Sequence, residues 1–161
     1  MTHKIYRAIE TAKTFQDSGG DYVLSLASLA VNAGRSSALV DRGVGSQPMR
    51  YVWRAIITWA TTGVIWDTAE VYVSESDGTI YDSSWSANAA VVENSFENAT
   101  PLGRVYCQMT SSATASIVSG IVILSARYYM VGVWNRSTTK TLNATANLSK
   151  VILTAMPDEI Q

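Results

Sequence analysis

The stretch PMRYVWRAIITWATT, Pro48 to Thr62, alternates with period two. Met49, Tyr51, Trp53, Ala55, Ile57 and Trp59 fall on one face, and Arg50, Val52, Arg54, Ile56, Thr58 and Ala60 fall on the other. Successive side chains of a strand point to opposite faces, whereas a helix repeats every 3.6 residues. The stretch is therefore a β-strand, and the face holding two of the five tryptophans is a core face. The opposite face mixes two arginines with valine and isoleucine, which is not the plainly polar pattern of a solvated sheet surface.

Strand patterns recur along the chain. DYVLSLASLAV alternates Val23, Ser25, Ala27 and Leu29 against Tyr22, Leu24, Leu26 and Ser28, and GRSSALVD follows a turn-like break at Asn32, Ala33 and Gly34. WDTAEVYVSESDGTIYD reads as a strand running into a hairpin turn at Asp77-Gly78, since Asp-Gly supplies the backbone geometry such turns need. Residues 82–100 read as a long excursion. PLGRVYCQMT, TASIVSGIVIL, RYYMVGVWN, KTLNAT and LSKVILTAM complete the set. About eight to ten strands at this spacing predict an all-β fold, a two-sheet antiparallel β-sandwich with jelly-roll topology. The organisation expected is a single sandwich domain over residues 21–161. Residues 1–20, ending in Gly19-Gly20, are the least sheet-like part and form an N-terminal arm, a short helix or a strand.

A chain of 161 residues can bury about 70% of its unfolded surface as one domain. Charged residues make up 16% and the net charge is −1. No basic cluster exists to neutralise a run of phosphates, so nucleic acid is not an expected partner. No window approaches the roughly 18 apolar residues of a membrane helix, and the N-terminal residues hold no signal-peptide pattern. The expectation is a chain made in the cytoplasm, for which the Asn-x-Ser/Thr triplets at Asn98, Asn135, Asn143 and Asn147 are chance matches.

Catalytic constellations are hard to assemble from these residues. His3 is the single imidazole and Cys107 the single thiol, too few for a nucleophile–base pair or a zinc site. Cys107 shares an alternating apolar face with Val105 and Met109, which predicts a small buried hydrophobe. GVGSQP lacks the lysine and the following helix of a phosphate loop. Glu75, Asp77 and Asp82, with Glu93 and Glu97 in the next loop, could hold calcium or act as a glycosidase pair. Acidic residues also collect at turns for backbone reasons, and that reading is preferred. Tyr81 and Trp85, set among Asp, Ser and Asn, offer a glycan-stacking platform or the buried anchor of their own loop. No enzyme and no cofactor are expected.

AGRSSALVDRG, followed by YVWRAIITW and EVYVSESDGT, and the closing run ARYYMVGVWNRSTTKTLNATANLSKVILTAMPDEIQ resemble small jelly-roll virion proteins of tailed bacteriophages, the group that includes capsid decoration or cement proteins. The resemblance covers residues 30–161 and rests on a pattern of strands and turns. It implies a non-enzymatic virion structural protein, a homotrimer bound to the major capsid protein on the outside of the shell. A carbohydrate- or receptor-binding module of a head fibre or tail is the alternative, with Tyr81 and Trp85 as contacts. The mixed face of the opening strand then has a use: Arg50, Val52, Arg54 and Ile56 form an interface, where Arg is enriched and Lys depleted. The competing reading is that the arginine stems cover the sheet while their heads reach water.

Overall fold

The computed structural model describes residues 5–6, 10–45, 47–61, 66–79, 82–107, 115–156 and 159–160. Among them are thirteen strands and one 3-10 turn. Five strands are two residues long: β1 (Ile5–Tyr6), β3 (Tyr22–Val23), β5 (Val40–Asp41), β8 (Ala90–Val91) and β13 (Glu159–Ile160). The other eight carry the fold: β2 (Lys13–Gln16), β4 (Ala33–Ser36), β6 (Arg50–Ile57), β7 (Thr68–Ser76), β9 (Thr100–Tyr106), β10 (Ser116–Ile123), β11 (Tyr128–Asn135) and β12 (Lys150–Ala155).

These strands form a β-sandwich. The first sheet has the order β10-β6-β12-β2-β3, and the second has β8-β4-β11-β7-β9, with β5 also on β11. Neighbours are antiparallel except β2 and β3. The core lies between the sheets. Tyr51, Trp53, Ala55 and Ile57 of β6 meet it from one side, and Val71 and Val73 of β7 with Val131 and Val133 of β11 meet it from the other. The alternation of β6 is realised: its odd residues are buried, Arg50, Val52 and Arg54 are exposed, and Ile56 is half-buried. Met49 departs from the pattern and is exposed, because it precedes the first paired residue, Arg50. Cys107 is buried, as its apolar face predicts.

Trp53 closes one corner of the sandwich. A Cβ at Gly120 of β10 would lie 2.8 Å from its Nε1, and a Cβ at Gly103 of β9 would lie 2.8 Å from its Cη2. The indole is held between two glycines from opposite sheets, which brings β9 and β10 alongside each other there.

Several expected elements differ. DYVLSLASLAV is a strand only at Tyr22–Val23. Its leucines do point inward, with Leu24, Leu26 and Leu29 buried. The backbone finds side-chain acceptors instead of a ladder: Ser25 N–H donates to Asn88 Oδ1 (3.0 Å) and Ala27 N–H to Asp17 Oδ1 (2.8 Å). Gly34 is not in a turn but in β4, where Trp134, Val91 and Phe96 crowd against it. KTLNAT forms no strand and contributes one bridge, Leu142 to Trp59. The Asp77-Gly78 turn exists, with Gly78 at φ 101° and Thr79 N–H donating to Asp77 Oδ1 (2.7 Å). It does not join neighbouring strands, since β8, which follows it, pairs with β4 across the sheet. Of the three forms open to the N-terminal residues, 13–16 take the strand. Phe15 is fully buried and paired with Val151, stacked on Tyr22 at 5.4 Å.

Candidate protein-protein interface

The two sheets differ in what covers their outer faces. The outer face of the second sheet lies under residues 82–99, which pack a small second core of Trp85, Val91, Phe96 and Ala99 onto Met130 and Trp134 of β11. Trp85 is the anchor. It is buried, its Nε1 donates to the Ser95 carbonyl at 2.8 Å, and its ring rests on Gly132, where a Cβ would come within 2.4 Å of Cη2. The ring therefore presents no face to a sugar, and of the two readings of Trp85 the structure shows the buried anchor of its own loop. Tyr81, its expected companion, lies outside the described residues, as does His3.

The acidic residues are also engaged locally. Glu75 Oε1 accepts from the N–H groups of Ser125 (2.6 Å) and Ala126 (2.9 Å), tying β7 to the turn between β10 and β11. Asp82 Oδ2 accepts from Glu75 N–H (3.2 Å). These carboxylates act as turn clamps. Beside the covering loop, the buried carboxylate of Glu70 takes Arg104 (2.7 Å), Arg136 (3.0 Å) and the Tyr72 hydroxyl (2.6 Å), and Arg136 also pairs with Glu93. Asn135, at the end of β11, is fully buried, with its Nδ2 within 3.1 Å of the Leu29, Ala30 and Lys140 carbonyls.

Among the described residues, the first sheet has no comparable cover on its outer face. Register places Ile117 opposite Ile56 and then Lys150; Ser119 opposite Arg54 and then Ile152; Ile121 opposite Val52 and then Thr154; and Ile123 opposite Arg50. Ile117, Ile121 and Ile123 are each about half exposed or more. Arg50, Arg54 and Lys150 give this face three cations, and β2, β6, β10 and β12 contribute no carboxylate to it.

Arg50 and Arg54 stand apart from the other described arginines. Arg104, Arg127 and Arg136 are in salt bridges, Arg42 donates to the carbonyls of Leu124, Ala126 and Pro48, and Arg35 reaches the Asn88 carbonyl. Among the described residues, neither Arg50 nor Arg54 has a side-chain partner. They lie four residues apart on one strand face, about 13 Å. The structure thus brings Arg50, Val52, Arg54 and Ile56 together on one open surface and adds the isoleucines of β10. Those were legible in SIVSGIVI, where both alternate faces are apolar although the strand is a sheet edge.

No protein-family model matches the chain, and no curated protein sequence matches it.

Proposed function

We propose that this protein is a non-enzymatic structural component of a tailed-phage virion, a homotrimer that decorates the outside of the capsid and works by buried surface. The observation that carries the reading is the open outer face of the first sheet, with exposed aliphatics around two arginines that no other described residue engages. Exposed apolar patches mark contact sites, and arginine among aliphatics is the composition of interface cores. The strand order supports the same reading. β2-β12-β6-β10 facing β4-β11-β7-β9 is compatible with the jelly-roll topology expected from the sequence, an arrangement used by viral capsid domains and by lectins. A fold alone does not assign a function; the resemblance of residues 30–161 to phage decoration proteins supplies the rest.

The test uses shells of the encoding phage assembled without this protein. Wild-type protein should bind them to saturation and sediment as a trimer on its own. Arg50→Glu with Arg54→Glu should abolish trimer and shell binding together while leaving the melting temperature nearly unchanged, since both side chains are exposed. A wild-type protein that ignores the shells refutes the decoration reading. A double variant that assembles normally refutes the assignment of this face.

A further inference from the structure

Trp66 is 81% exposed, whereas the other four tryptophans are buried. It is anchored on its C-terminal side: the next residue, Asp67, is buried, accepts from Ser137 Oγ at 2.5 Å, and takes Cys107 N–H on its carbonyl at 2.8 Å. Tyr106 is also exposed and is paired in register with Thr68, two residues beyond Trp66. Two large aromatic groups are therefore exposed at the edge of the second sheet, next to residues that are buried and hydrogen-bonded. Exposed rings of this kind are the usual anchors of protein contacts.

Their position relative to the arginine face follows from Trp53. Its ring touches Gly103 of β9 and Gly120 of β10, so Trp53, Gly103 and Gly120 stand at one height in the sandwich. β6 and β9 run the same way, because each is followed by the loops at the Trp59, Trp66 and Cys107 end. Tyr106 is three residues beyond Gly103 and Ile56 three beyond Trp53, about 10 Å in each case. Tyr106 is thus level with Ile56 and within a guanidinium's reach of the level of Arg54. The two patches flank the corner where β9 and β10 run alongside each other.

Pairing the outer face of the first sheet with its own copy would set like charges together, since its described strands supply Arg50, Arg54 and Lys150 and no carboxylate. Aromatic faces accept both guanidinium groups and aliphatics. Copies related by rotation about an axis along the β9–β10 corner keep their heights, like blades around a shaft, so the aromatic patch of one meets the arginine face of the next. We propose that Trp66 and Tyr106 of one copy seat on Arg54, Ile56 and Ile117 of its neighbour, forming the head-to-tail contact of a closed ring. The inference rests on the oligomeric reading above and supplies the missing half of its interface.

Sedimentation velocity combined with acrylamide quenching tests it. With the other four tryptophans buried in the single chain, the quenchable emission belongs to Trp66. Raising the protein concentration through the assembly transition should protect that emission in step with the mass change. Trp66→Ala with Tyr106→Ala should weaken assembly by tenfold or more without changing the melt, and Trp66→Phe should retain most of it. An assembled ring whose Trp66 stays fully quenchable, or a double variant that assembles like wild type, overturns the contact while leaving the ring intact. Protection that appears only when shells are added, with the protein still monomeric, assigns the rings to the shell and overturns it too. A wild-type chain that is monomeric at every concentration overturns the oligomeric reading itself.

Discussion

Gly120→Ala should destabilise the protein because of Trp53 and for no other reason. The new Cβ would stand 2.8, 3.0 and 3.1 Å from three indole atoms, where carbon contacts normally relax to about 3.5–4.0 Å. The ring must move by roughly half an ångström or more, and Gly103 blocks the way from the opposite sheet. Overpacking of this kind costs about 1–3 kcal/mol. Removing a glycine from the unfolded chain returns about 0.4–1 kcal/mol, since Gly120 is not among the positive-φ residues and alanine fits its backbone. The net cost should be about 1–2 kcal/mol. Trp53→Ala alone should cost about 3–5 kcal/mol as a large buried aromatic is lost. In that background the clash is gone, and Gly120→Ala should become neutral or slightly stabilising. Urea denaturation of the four proteins closes the cycle, with a coupling of about 1–3 kcal/mol expected between contacting residues. Equal effects of Gly120→Ala in both backgrounds would show that the indole does not occupy the space between the two glycines.

Phe15→Ala should cost about 3–5 kcal/mol, and a chain begun at Gly19 should fail to fold cooperatively by circular dichroism, because it removes the strand between β12 and β3; a normal melt would make β2 dispensable. Burial pushes the Glu70 carboxyl up, but the Tyr72 hydroxyl, Arg136 and Arg104 outweigh it and hold the group below its ordinary value of 4.5. The stability this contributes is complete above the unfolded value and is lost as the pH falls through the lower folded one. Acid titration of the melting temperature should therefore be shallower below pH 4.5 in Glu70→Gln, and an unchanged profile would remove Glu70 from the account.

Alternation is a local property of the chain, and it was readable wherever a strand was long. The buried and open faces of β6, the longer strands and the sandwich class all follow from period two. Asp77-Gly78 announced a turn, because its geometry needs only its own backbone. It could not announce which strand would lie alongside, and β8 went to β4. The same limit explains Trp85 and Phe15. A tryptophan among Ser and Asn looks available until Gly132, 47 residues later, offers a bare stretch of backbone for its ring. A phenylalanine before Gly-Gly looks peripheral until β12, over 130 residues away, comes back to pair with it. Asn135 likewise read only as the last residue of a strand, and the loops converging on its amide made it part of the interior. Trp66 ran the opposite way: it reads as the start of a strand, yet it stands in water because the chain turns there on Asp67. Whether an apolar face is covered depends on segments that return from far along the chain. Residues 82–99 return over the second sheet, and among the described residues no segment returns over the outer face of the first.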